Sequence, residues 1–300
     1  MGEVSSQADL ESVMKKLGLL FMLAILVTCF VGCAGEEEPT PLPKAEWSKT
    51  FGGSSTDYGS SVKQTSDGGY IIAGATESFG VANMDVWLIK TNSTGHEEWN
   101  VTFNSSGRDY GHSVEQTSDD GYIIAGYTGP RAGEFDVWLI KTDSSGNKLW
   151  DKTFGGAGDN RGHSVEQTSD GGYIITGRTG SDGLGKADVW LIKTDSNGNE
   201  QWNKTFGGSY DDAAWSVQQT LDGGYVIAGF TISYGAGDND VWLIKTDSSG
   251  NMAWNKTFGG AEDDIGLSVQ QTSDGGYIIA GFTRSYGAGN YDVWLIKVTA

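Results

Sequence analysis

Ten acidic or amide side chains recur at fixed places along the chain and could together do carboxylate chemistry. Asp57, Asp109, Asn160, Asp212 and Asp264 each stand six residues after a phenylalanine; Asp85, Asp136, Asp188, Asp240 and Asp292 each precede a Val-Trp-Leu-Ile run. Carboxylates on one rim could bind a cation or a sugar, or flank a glycosidic bond as an acid and base pair. Alternatively, each caps its own loop by accepting backbone N–H groups. Fivefold repetition favours the structural role, because a functional site usually breaks symmetry. His112 and His163 do break it. They follow Gly111 and Gly162 where the other copies carry Ser60, Trp215 and Leu267, and Arg108, Arg131, Arg161 and Arg178 gather in the same two copies. They make a candidate basic, titratable patch for an anionic ligand, set against ordinary surface variation. His96 is remote in a turn, so the three histidines form no metal-ligand set, and neither metal nor cofactor is expected.

Enzyme signatures are missing. The chain has no G-x-S-x-G elbow, P-loop or HExxH, and no carboxylate pair stands out among five equivalent copies, so no catalytic residue is assigned. Thirty-nine acids against 20 bases leave a net charge of −19, which repels nucleic acid and anionic lipid. The 46 glycines carry no collagen period, and 11 Trp, 12 Tyr and 11 Phe argue for packed structure.

The elements that position these residues come from a repeat. TSDGGYIIAG at Thr65 to Gly74 returns with small changes from Thr117, Thr168 and Thr220 and intact from Thr272, and Trp47, Trp99, Trp150, Trp202 and Trp254 are spaced by 52, 51, 52 and 52 residues. So constant a period means a repeat architecture. Each copy offers two hairpins: WSVQQT turns through Leu-Asp-Gly-Gly into YVIAGFT, and DVWLIKTD turns through Ser-Ser-Gly-Asn into AWNKTF. VWLIK is apolar at successive positions, as in a strand buried on both faces. The fold class is therefore all-β, a five-bladed β-propeller of roughly 52-residue four-stranded repeats. The first copy begins at a fourth strand, EWSKTF from Glu46, and the last stops after a third, DVWLIKVTA. Pairing the two would close the ring with an N-terminal strand in the last blade and bury its edges.

Two resemblances add to this. TDSSGNKLW (Thr142 to Trp150) is similar to the tryptophan-docking motif of quinoprotein-type propellers, which implies that each tryptophan docks on a neighbouring blade. Thr65-x-Asp67-x-Gly69 and its counterparts resemble the Asp-box turn of sialidase-type propellers, which is structural in that family. The repeat as a whole resembles those of uncharacterised archaeal and bacterial surface proteins, often lipoproteins.

Residues 1–33 read as a secretory signal: two lysines after Met14, then an apolar run from Leu17 to Val31, then Gly32-Cys33. Met14 is the expected initiator. The segment resembles a lipoprotein signal, which implies acylation of Cys33, against an ordinary cleaved signal or an uncleaved anchor. Residues 34–45, with three acids and three of the four prolines, read as an extended tether, and 46–300 as the propeller. Both cysteines lie in the signal, so the mature domain is expected to lack disulfides and thiol chemistry. Asn92, Asn100, Asn104, Asn203 and Asn255 head sequons, candidate glycosylation sites on an exported chain. The sequence thus points to a monomeric, surface-tethered binding or scaffolding module. Its partner is an unknown protein or carbohydrate, its only membrane contact the lipid anchor, and it takes no nucleic acid. The alternatives are a glycan-active enzyme using carboxylates at the propeller mouth, or a structural envelope protein.

Overall fold

The computed structural model describes residues 44–81, 83–105, 107–130, 134–181 and 186–299. The signal segment, Cys33 and nearly all of the tether lie outside these residues. The chain divides into two units, residues 1–46 and 47–300, and the second carries all the strands described.

Sheet 1 comprises β1 (Asp57–Gln64), β2 (Tyr70–Thr76), β3 (Asp85–Thr91) and β4 (Glu97–Phe103). Sheet 2 holds β5 (Arg108–Gln116), β6 (Tyr122–Gly129), β7 (Asp136–Thr142) and β8 (Lys148–Phe154). In sheet 3 are β9 (Arg161–Gln167), β10 (Tyr173–Ser181), β11 (Lys186–Thr194) and β12 (Glu200–Phe206). Sheet 4 has β13 (Asp212–Gln219), β14 (Tyr225–Thr231), β15 (Asp240–Thr246) and β16 (Met252–Phe258); sheet 5 has β17 (Asp264–Gln271), β18 (Tyr277–Thr283) and β19 (Asp292–Val298). Every sheet is antiparallel and pairs its strands in chain order. The first strand of each lines a common central cavity, so the molecule is a five-bladed β-propeller.

The continuous apolar run of the third strands is explained by burial on two sides. Val86 and Leu88 pack against Val114, Ile124, Trp138 and Ile140 of sheet 2, and the arrangement repeats between sheets 2 and 3, 3 and 4, and 4 and 5. In the sheets with a neighbour on both sides, the valine and leucine of VWLIK face the next sheet while the tryptophan and isoleucine face the preceding one. The closing lysine is also buried. Lys90, Lys141, Lys193 and Lys245 reach back across their hairpins to Asp67, Asp119, Asp170 and Asp222 of the Thr-x-Asp turns at 2.8 to 2.9 Å. Each turn aspartate also accepts its own threonine hydroxyl and the N–H of the second glycine. The lysine and these local bonds hold Asp170 and Asp222 down at about 2. The Asp-box-like turn is therefore structural, and the ion pair, buried at its lysine end and exposed at its aspartate, ties the first hairpin to the third strand.

Tryptophan docking is observed at each junction. Trp99, Trp150, Trp202 and Trp254 lie 5.7 to 5.9 Å from Tyr122, Tyr173, Tyr225 and Tyr277 of the following sheet. Gly146 (φ 82°) turns beneath the Trp99 ring, where an added Cβ would come within 2.7 Å of it. A left-handed backbone and a ring overhead both demand glycine there.

The ends of the propeller differ from expectation. Sheet 5 has three strands, and residues 46–51 lie in no strand. Trp47 instead docks on Tyr70 at 5.8 Å, and Phe51 sits with Tyr58, Ile72, Trp87 and Ile89 on the free face of sheet 1. The physical reason is that Trp47 and Phe51 hold this segment on sheet 1, away from β19, so the outward face of sheet 5 stays uncovered among the described residues. Val293 remains 91% and Leu295 66% exposed.

Candidate functional site

The repeated acids are placed where the first and third strands begin, and they cap loops. Asp212 accepts the Gly208 N–H at 2.9 Å and the Ser233 hydroxyl at 2.7 Å; Asp264 does the same with Gly260 and Ser285, and Asp57 with Gly53 and Ser78. Asp109 takes the Ser105 N–H at 2.7 Å and the Thr128 hydroxyl. Asn160 accepts from the Thr179 hydroxyl at 2.7 Å. In the second set, Asp85, Asp136, Asp240 and Asp292 accept N–H groups of Val81, Gly156, Ala236 and Ala288. Burial, with the Asp109, Asp212 and Asp264 charges nearby, raises the pKa values of Asp85, Asp188 and Asp240 respectively. Among the described residues no group of three or more His, Cys, Asp or Glu could hold a metal ion. Asp212→Ala is expected to cost roughly 1 to 3 kcal/mol by stranding buried donors, read by urea denaturation, with the same loss in EDTA and in calcium.

The symmetry-breaking residues occupy a special backbone position. In every first strand the pairing slips by one residue, and the residues left over are Ser60, His112, His163, Trp215 and Leu267. A bulge leaves its extra residue unpaired and re-aims its side chain. In sheets 2 to 4 these side chains meet. His163 stacks on Trp215 (ring centroids 4.1 Å apart, planes 15°), His112 stands edge-on to His163 at 5.4 Å, and Tyr127 flanks His112 at 5.1 Å. Arg161 lies over Tyr127 and Phe135. The Ala214 carbonyl accepts from His163 Nδ1 at 2.9 Å, which assigns the proton to Nδ1 and leaves Nε2 an acceptor.

This cluster is not the basic patch that its residue types imply. Burial pushes His112 down to about 4 and His163 to about 3, helped by the Arg161 charge at His112 and by the neighbouring imidazole at His163. Both are neutral at pH 7. Arg161 and Arg178 are both paired with Asp159, Arg108 is exposed, and Arg131 lies outside the described residues. What distinguishes the cluster is that His112 Nε2, Trp215 Nε1 and Arg178 Nε are buried with no protein partner among the described residues. Such groups are rare in native proteins and each calls for a ligand, a water or a strain role. Of the remaining histidines, His96 stays in its turn beside Thr94 and Lys49, as its sequence position implies.

The inner strands also line a cavity of about 350 Å3, with Lys63, Glu115, Glu166, Gln218 and Gln270 at equivalent positions around it. Glu115, Glu166 and Gln218 each accept the N–H of Gln167, Gln219 or Gln271 in the next sheet. Gln218 makes this bond as an amide, so the junction does not require a charge. Burial, then the Glu115 charge, raises Glu166 to about 7 from an ordinary 4.5. The folded state therefore holds this proton more tightly than the unfolded one. Its stabilising contribution is complete below about pH 4.5 and is lost as pH rises through about 7. Glu166→Gln should melt above the wild type at pH 8 and close to it at pH 4.5; a constant offset at both would contradict the assignment.

Asn100, Asn203 and Asn255 accept the indole N–H groups of Trp87, Trp190 and Trp242, a role Asp151 fills for Trp138. These positions thus have structural work whether or not a glycan is attached. Asn92 folds its carbonyl into its own turn, and Asn104 is exposed. A larger open groove of about 530 Å3 is lined by Tyr234, Trp242, Asn255 and Lys256 among others.

No family model matches the chain. It is 28% identical over 176 residues to "Regulatory protein FlaEY" of Caulobacter vibrioides, a match spanning 54% of this chain and 17% of that protein. In structure it is similar to a protein of unknown function from Bacteroides caccae, with a TM-score of 0.50 at 12% identity over 80% of this chain and 82% of the other. It is also similar to an alpha-L-arabinofuranosidase from Clostridium thermocellum ATCC 27405, with a TM-score of 0.40 at 10% identity over 81% and 93%. The likeness to the Bacteroides caccae protein concerns the fold alone.

Proposed function

We propose that this chain is a non-enzymatic binding module, exported and held at the cell surface by an acylated Cys33, whose ligand seats on the bulge layer of sheets 2 to 4. The observation that carries this reading is the set of buried, unpartnered groups around His163: Trp215 Nε1 and Arg178 Nε as donors, and a neutral His112 Nε2. Repetition explains the rest of the inner wall, but it does not explain these. Fixed donors and acceptors against aromatic faces, with the one charged group among them, Arg178, already paired with Asp159, suit a polar, uncharged ligand such as a saccharide, whose hydroxyls both donate and accept. Residues 46–300 probed on a glycan and protein array should retain a saccharide, and His163→Leu should lose it. An array on which neither class binds, or binding that survives in His163→Leu, would contradict the reading.

A glycan-active enzyme draws on one observation, the raised Glu166 beside Glu115. A general acid needs a pKa near the working pH. Release of a chromophore from aryl glycosides by the wild type, abolished in Glu166→Gln, would favour that role over binding alone.

A further inference from the structure

The propeller carries two apolar faces that match each other and do not meet. On sheet 1 the leading face exposes Tyr58 (54%) and Val62 (59%), although the counterparts Val114, Val165, Val217 and Val269 are at most 6% exposed. The trailing face of sheet 5 exposes Val293 and Leu295, whose counterparts Val241 and Leu243 are buried at 1% and 0%. At four junctions within the chain, a trailing face of this kind is covered by a leading face of this kind.

The strand complement is also split. The 47–51 segment is already held on sheet 1 in the manner of a preceding blade's fourth strand. Trp47 docks on Tyr70 with the usual separation, and Lys49 bonds His96 at 3.4 Å as Lys152 bonds Asn199 at 3.2 Å. Edge strand β19 has no fourth strand, and among the described residues the Trp294 indole has no acceptor, whereas Trp87, Trp138, Trp190 and Trp242 each find one on the fourth strand. Carrying over the register of β15 on β16, which sets Val241 opposite Phe258 and Trp242 opposite Thr257, would place Phe51 opposite Val293. Ser48 would then offer a hydroxyl where the other sheets offer Asn or Asp.

We propose that these faces join between two copies of the chain, head to tail, the Trp47–Phe51 segment of one copy supplying the fourth strand of sheet 5 in the other. The partner is a second copy because the chain itself builds this contact four times over, and because its own two faces stay exposed instead of covering each other. The contact is heterologous: it uses different surfaces on the two copies, so it closes as a ring or runs on as a filament. It also covers an edge that would otherwise pair indiscriminately.

Sedimentation of residues 46–300 across a wide concentration range tests this. The wild type should gain mass with concentration beyond one chain. Leu295→Asp, which blocks the trailing face, and Val62→Asp, which blocks the leading one, should each weaken association by at least tenfold. Both residues are exposed, so circular dichroism and melting should show each variant folded. Mixed together, the two variants retain one good face each and should form a 1:1 dimer and nothing larger. A wild type that stays a single chain at all concentrations would overturn the proposal. So would variants that associate like the wild type, or amide protection of β19 in a monomer, which would mean closure within one chain.

Discussion

Trp242→Ala should lower the free energy of unfolding by about 3 to 5 kcal/mol, the range for a large aromatic removed from a packed core. Trp242 is 2% exposed, packs in one cluster with Val189 and Leu191 of the preceding sheet, contacts Tyr234 and donates its indole N–H to Asn255 at 3.1 Å. Truncation leaves a cavity at the junction and an unpaired amide on the fourth strand. The equivalent change in the last blade, Trp294→Ala, should cost well under half as much, since that ring is only partly buried and has no fourth strand beside it. Urea denaturation of both variants checks the contrast. Equal losses would mean that the last junction is as complete as the others.

Gly126→Ala is expected to be nearly as damaging, at roughly 3 kcal/mol, the upper end of over-packing costs, or a fall of roughly 10 °C in melting temperature. The bulge after Gly111 brings the Tyr110 carbonyl over Gly126, where an added Cβ would lie 1.7 Å from that oxygen. The clash is with backbone, so no rotamer relieves it. Gly74, Gly177, Gly229 and Gly281 stand against the same carbonyl in their own sheets. That explains the glycine of the recurring YIIAG: the bulge that re-aims His112 requires it. A melting temperature unchanged in Gly126→Ala would contradict this geometry.

The period of the tryptophans, the Gly-Asp turns and the doubly apolar VWLIK made the five sheets legible from the sequence, because each reflects a contact repeated five times. Lys90 was not legible. A lysine closing an apolar strand looks like a solvent-facing end, and its partner Asp67 sits 23 residues earlier, in another hairpin. The role of Asp212 was visible as one of two alternatives, since a short loop capped by its own side chain follows from spacing. His112 and His163 were visible as departures from the repeat, but their state was not. Residue type suggests a titratable cation, while the bulge buries both rings and holds them neutral. The chain ends showed complementary strands but not that Trp47 would dock on Tyr70 while β19 stays without a fourth strand.

The central claim is that repeated positions hold the propeller while the departures at the bulge hold a ligand. The direct test is a variant carrying serine at 112, 163 and 215, the residue that sheet 1 has at that position in Ser60. Its affinity for the saccharide retained on the array, measured by calorimetric titration beside its melting temperature, separates the two roles. The account predicts binding at least tenfold weaker with melting equal to or above that of the wild type, because two of the three side chains removed, His112 and Trp215, leave buried polar atoms unsatisfied. Undiminished binding together with a melting temperature lowered as far as in Gly126→Ala would contradict it.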